Sequence, residues 1–109
     1  MTQEEQFAAL VGIVAQEYGV EERLVLSKVR TQAFTVPRNI VAAIWSNANT
    51  LQDTATRIGW GSPQHVIYAR KRVERLYATR PAHEWRMDSI VNQVQEVMPW
   101  LVAAMPDRD

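Results

Sequence analysis

The chain has 109 residues, 47% of them apolar, enough for one domain with a modest buried core. It contains no cysteine, which excludes disulfides and thiolate metal sites, and only His65 and His83 offer imidazoles, neither at a helical offset from a carboxylate that would make a zinc motif. Formal net charge is zero, yet it is unevenly spread: residues 1–27 carry one Arg against five Glu, residues 28–80 carry nine Lys or Arg against Asp53 and Glu74, and residues 81–109 carry two Arg against five acids.

The opening residues, Met-Thr-Gln-Glu-Glu, lack the pattern of a signal peptide, and no apolar run approaches membrane-spanning length. The expectation is a cytoplasmic protein. Gln3 to Tyr18 reads as an amphipathic helix, with Phe7, Leu10, Val11, Val14 and Tyr18 on one stripe. Glu4 and Glu5 suit its positive end, and Gly19 closes it. Glu21 to Lys28 is expected to hold a short second helix carrying Leu24, Val25 and Leu26.

Val29 to Val36 reads as a connection containing Arg30, after which Thr35 and Pro37 have the residue types of a helix start. That third helix is expected to run to about Asn47. Ile40, Val41, Ile44, Trp45 and Ala48 give it a broad apolar face, while Arg38 and Asn39 in its first turn are expected to stay in solvent. Ser46 to Thr50 then breaks the chain.

Residues 50–78 form the most informative stretch. Thr50 and Asp53 have capping-box spacing, in which Thr50 accepts from the Asp53 N–H and the Asp53 carboxylate reaches back. Leu51, Ala55 and Ile58 share a face, and Gly59-Trp60-Gly61 ends the helix. Ser62 and Pro63 suit the start of the next one. Along that helix Val66, Ala69, Val73, Leu76 and Tyr77 cluster on one side, and Gln64, Tyr68, Lys71 and Arg75 on the other. A short helix, a tight turn and a longer basic helix make the pattern of a helix-turn-helix reader of DNA. The positive charge sits in this middle third, net +7 over residues 28–80 between ends of −4 and −3, as an electrostatic footprint on DNA requires.

Arg80-Pro81 is expected to end the basic helix, with a last helix over residues 83–105. Met87, Ile90, Val91, Val94, Val97 and Met98 form its stripe, and Pro99 kinks or restarts it. This apolar tail, with Trp85 and Trp100, either packs on the bundle or meets a protein partner or second copy. There is no Gly-rich phosphate loop and no Ser/His/Asp set in plausible order, so neither an enzyme nor a cofactor is expected.

Several of these segments resemble the C-terminal DNA-binding domain of the bacterial replication initiator DnaA. Val14-Ala-Gln-Glu-Tyr18 is similar to the end of that family's first helix, Leu26-Ser-Lys28 with Arg30 to its "LSK-x-R" segment, and Pro37-Arg38-Asn39 to its "PRQ" helix start. Leu51 to Gly59 aligns without a gap onto the helix before the family signature, and Val66-Ile-Tyr-Ala69 with Lys71-Arg72-Val73 resembles "TVLHA…RKI". The signature itself, "GGRDH[ST]T", is replaced by Gly59-Trp-Gly-Ser-Pro-Gln-His65, and Val36 stands where many members have Arg or Tyr.

The resemblance implies an all-α, Trp-repressor-like bundle of about six helices in a single domain. It implies binding of double-stranded DNA without ATPase activity, for replication or regulation, in association with the nucleoid. It implies Arg30 in the minor groove and Arg38, beside Asn39, on the phosphate backbone. From the residues themselves, Gln64 is the leading base reader and His65 a weaker one, near Ser62 and Tyr68, with Lys71, Arg72 and Arg75 on phosphates. The second reading is an interaction or dimerisation module that kept the fold and lost DNA reading, since the signature positions are changed.

Overall fold

The computed structural model describes residues 1–103, and over them every regular element is a helix, with no strand. Seven helices follow in order: α1 (Gln3–Tyr18), α2 (Glu22–Val25), α3 (Gln32–Trp45), α4 (Leu51–Ile58), α5 (Gln64–Thr79), α6 (Pro81–Val97) and α7 (Pro99–Ala103). One continuous apolar cluster draws on all seven, and the Cα radius of gyration is 12.6 Å, close to the roughly 13 Å of a compact fold of about 100 residues. Among the described residues no helix is long and apolar enough to cross a membrane.

α1 forms as its stripe and the Gly19 closure predict, and its N-terminus carries a cap the sequence reading does not name. Thr2 and Glu5 make a reciprocal capping box, and Gly19 ends the helix in the left-handed region at φ 66°. Phe7, Leu10, Val11 and Val14 are buried. α2 is shorter than expected, and Val25 is its buried member.

α3 departs from the expected start. Its N-cap is Thr31, and the helix passes through Pro37 instead of beginning near it. The stretch read as a connection from Val29 to Val36 is therefore mostly helical, and Thr35 is not a cap. Pro37 forfeits one backbone hydrogen bond, to the Ala33 carbonyl, near the helix start. In return it buries its ring beside Ile40, Val41, Ile44 and Trp45, which make α3 the central helix. α3 stops at Trp45, short of Asn47, and Ala48 is exposed.

α4 is joined to α5 by a tight turn. Thr50 Oγ1 accepts from the Asp53 N–H at 3.0 Å, as expected. The Asp53 carboxylate does not close a capping box. Its Oδ2 accepts instead from Trp45 Nε1 at 2.9 Å and from Arg57 Nε at 3.0 Å. Two charge-compatible donors are stronger partners than one exposed amide. Gly59 closes α4 at φ 92°. Pro63, not the expected Ser62, takes the N-cap place of α5, and it makes no side-chain cap bond. Ser62 stands one residue further out, where its Oγ accepts from the Gln64 N–H at 3.1 Å and its carbonyl from the His65 N–H.

α6 begins at Pro81, earlier than the expected His83, because proline suits a first helical position. Arg80 alone separates it from α5. The end of α1 is fastened to α6 by polar contacts. Arg86 Nη1 donates to the Glu17 carbonyl at 2.7 Å, and Ser89 Oγ and Gln93 Nε2 donate to Glu17 Oε2 at 2.9 and 3.3 Å. Met87, Ile90, Val94, Met98 and Leu101 are buried, so α6 and α7 pack on the bundle. Val97, placed on the apolar stripe, is exposed. The part of the expected last helix beyond residue 103 lies outside the described residues.

Candidate nucleic-acid interface

The outer face of α5 is fixed by its inner one. Val66, Ala69 and Val73 are buried against α3, which leaves Gln64, Tyr68, Lys71, Arg72 and Arg75 in solvent. Across from this face lies the start of α3 and the connection leading into it. Between the two runs a concavity of about 690 Å3 lined by Arg30, Thr35, Arg38, Asn39, Trp60, His65, Tyr68, Ala69, Lys71, Arg72 and Arg75. Five of these are permanent cations, and none is an acid.

Arg30, Lys71, Arg72 and Arg75 are exposed, and none of them is ion-paired with a carboxylate among the described residues. Like charges gathered around one hollow repel one another until an anion arrives. The hollow also has an aromatic side. Tyr68 is 54% exposed, and Trp60 stands edge-on to His65 with ring centroids 6.0 Å apart. The arrangement suits a polyanion that also presents flat or apolar groups.

Eight expected site residues meet at this concavity: Arg30, Arg38, Asn39, His65, Tyr68, Lys71, Arg72 and Arg75. Ser62 and Gln64 do not line it. The Ser62 hydroxyl is engaged by the Gln64 N–H, and Gln64 sits exposed in the first turn of α5, beyond the end of the hollow.

Arg38 corrects the expectation of a solvent-facing clamp. It is buried, and its guanidinium is engaged with main-chain carbonyls: Nε donates to Val25 at 2.5 Å, and Nη2 to Val29 at 2.9 Å and Leu24 at 3.3 Å. Burial pushes the ionisation of this guanidinium down from its ordinary range. The carbonyl oxygens stabilise the cation without a carboxylate partner.

Thr35, Trp60 and Ala69 also line the hollow, outside the expected site; of these, the sequence reading places Trp60 in a helix stop. Its signal is a large aromatic set between Gly59 and Gly61. An indole is an odd occupant for a turn whose only task is to end a helix. Its backbone N–H bonds to the Ala55 carbonyl at 2.8 Å, which fixes the main chain of the turn, and its side chain packs partly buried against the core.

Comparison with protein-family models and with curated proteins finds no match to this chain.

Proposed function

We propose that the chain binds double-stranded DNA as a sequence-specific module, in the manner of the DnaA C-terminal domain, with α5 in the major groove. The observation that carries this reading is the concavity whose exposed cations, Arg30, Lys71, Arg72 and Arg75, have no carboxylate partner among the described residues. Lys71, Arg72 and Arg75 follow one face of a single helix, the geometry that lets a helix lie between two phosphate rails. Gln64 leads that helix, where an amide can pair with an adenine edge, with His65 and Tyr68 one turn or less behind. Arg30 approaches from the opposite rim, suited to the adjacent minor groove. Such a module acts by binding alone, in replication or in its regulation, wherever DNA is packed in the cell.

Selection from random duplexes, with binding repeated at low and moderate salt, tests the proposal. Enrichment of a defined motif is expected, with affinity falling steeply in salt as condensed counterions are released. A flat enrichment profile together with salt-indifferent or absent binding would sink it.

A second reading has its own observation. Trp85 is 71% exposed, and Val97 and Trp100 are 46% and 45% exposed on α6 and α7. These apolar groups favour a protein partner or second copy at the C-terminal helices. Such contact is nearly insensitive to salt, so the same titration separates the two.

A further inference from the structure

We infer that Arg38 is a positioning residue that acts on DNA through Arg30 and makes no phosphate contact of its own, an assignment that rests on the DNA-binding reading above. The three carbonyls that Arg38 engages lie at the two ends of one short loop. Leu24 and Val25 close α2, and Val29 immediately precedes Arg30. A single planar guanidinium anchored in α3 therefore ties the beginning of the loop to its end. Ser27 braces the same loop from within. Its Oγ donates to the Leu24 carbonyl at 2.7 Å and accepts from the Val29 N–H at 3.3 Å. Arg30 follows directly, exposed at the rim of the basic concavity.

A phosphate contact through Nε or Nη2 would draw the guanidinium away from its acceptors and take the donor from the buried Val25 carbonyl. Holding the loop instead fixes the Arg30 backbone before DNA arrives, so less ordering remains to be done on binding. A lysine has the same charge and cannot serve as well, because a compact ammonium lacks the fork that reaches acceptors on both sides.

The test compares Arg38→Lys, Ser27→Ala and Arg30→Ala in the full chain, using a short mixed-sequence duplex at low salt and amide hydrogen exchange without DNA. Arg38→Lys is expected to weaken binding about as much as Arg30→Ala, and the double variant by no more than about twofold beyond either. Ser27→Ala touches no charge and supplies a milder disturbance should Arg38→Lys fail to fold. It is expected to weaken binding about two- to fivefold, an effect that disappears in the Arg30→Ala background. Exchange over residues 26–31 should quicken in both loop variants while α1 and α5 stay protected. Wild-type affinity in Arg38→Lys overturns the assignment. So does a loss additive with that of Arg30→Ala when Ser27→Ala is silent, since that pattern marks a direct contact. If the wild-type chain binds no duplex at all, the DNA reading fails by itself. Unchanged exchange over residues 26–31 in that case overturns the brace as well.

Discussion

Trp45 joins three helices through one side chain. Fully buried at the end of α3, it meets Phe7 of α1 edge to face at 5.2 Å and donates its indole N–H to Asp53 of α4. Arg57 lies over both rings, 5.5 Å from Trp45 and 6.0 Å from Phe7, and reaches Gln3 Oε1 at 3.2 Å. Trp45→Phe removes the donor and leaves unfilled volume, so it should cost about 1–3 kcal/mol in urea unfolding followed by circular dichroism. A change under about 0.5 kcal/mol, ordinary for a surface residue, would contradict that role. His83 offers a second test. Burial, and then the charges of Arg80 and Arg86, push its ionisation down from the ordinary 6.5, and its Nδ1 shares a 3.1 Å hydrogen bond with the Tyr18 hydroxyl. The unfolded chain then binds more protons than the folded one between the lowered value and 6.5, so stability should fall as pH drops through that window. The urea midpoint measured across pH 5 to 8 should lose part of this slope in His83→Gln, and an identical slope in that variant would refute the linkage. Tyr18 works at the other end. Burial holds its phenol above 10.0, so the folded state keeps that proton longer and stability declines as pH rises past 10.0. None of these residue-level couplings was legible in the sequence. Arg38 reads as a surface cation because its acceptors are main-chain carbonyls 9 to 14 residues away, and carbonyls leave no mark on residue identity.

At the scale of elements, legibility followed capping chemistry. α1 and α4 were readable because α1 keeps a helical stripe of Phe7, Leu10, Val11 and Val14, Thr50 makes a side-chain cap on α4, and Gly19 and Gly59 take left-handed closures, while the Thr2 cap of α1 went unread. α3 was misjudged because Thr31 makes no side-chain cap bond, while Pro37 carries the residue type of a helix start from inside the helix. The buried packing of α3 outweighs the hydrogen bond that Pro37 gives up. The turn between α4 and α5 allows a paired prediction. Gly59 has a φ of 92°, which a Cβ strains, so Gly59→Ala should cost about 1–2 kcal/mol. Gly61 has no positive φ and open space at its Cβ position, so Gly61→Ala should be close to neutral. Equal melting temperatures for the two variants would contradict this account of the turn. The basic face of α5 was legible as well, because a 3.6-residue period places Tyr68, Lys71 and Arg75 opposite Val66, Ala69 and Val73 whatever the neighbouring helices do. Which residues of other elements complete the hollow, Trp60 and Thr35 among them, depends on tertiary packing that no local period encodes.

For the molecule as a whole, zero net charge conceals a segregated distribution, with +7 on residues 28–80. Four exposed cations of the hollow, Arg30, Lys71, Arg72 and Arg75, bound the number of phosphates it neutralises. The slope of log affinity against log salt should therefore lie at about −3 to −4, and Arg75→Ala should reduce its magnitude by about one. Filter binding from low to moderate salt measures both, and an unchanged slope in Arg75→Ala would remove that residue from the contact set. The placement of the four tryptophans has a consequence of another kind. Trp45 is 0% exposed, Trp85 71% and Trp100 45%, with Trp60 between these extremes at the edge of the basic hollow. The intrinsic emission of the native chain is thus a composite, with a blue-shifted part that acrylamide scarcely quenches and a red-shifted part that it extinguishes readily. Unfolding moves the first toward the second, while a ligand seated in the hollow perturbs Trp60 alone. The chain carries its own optical labels for core, surface and site.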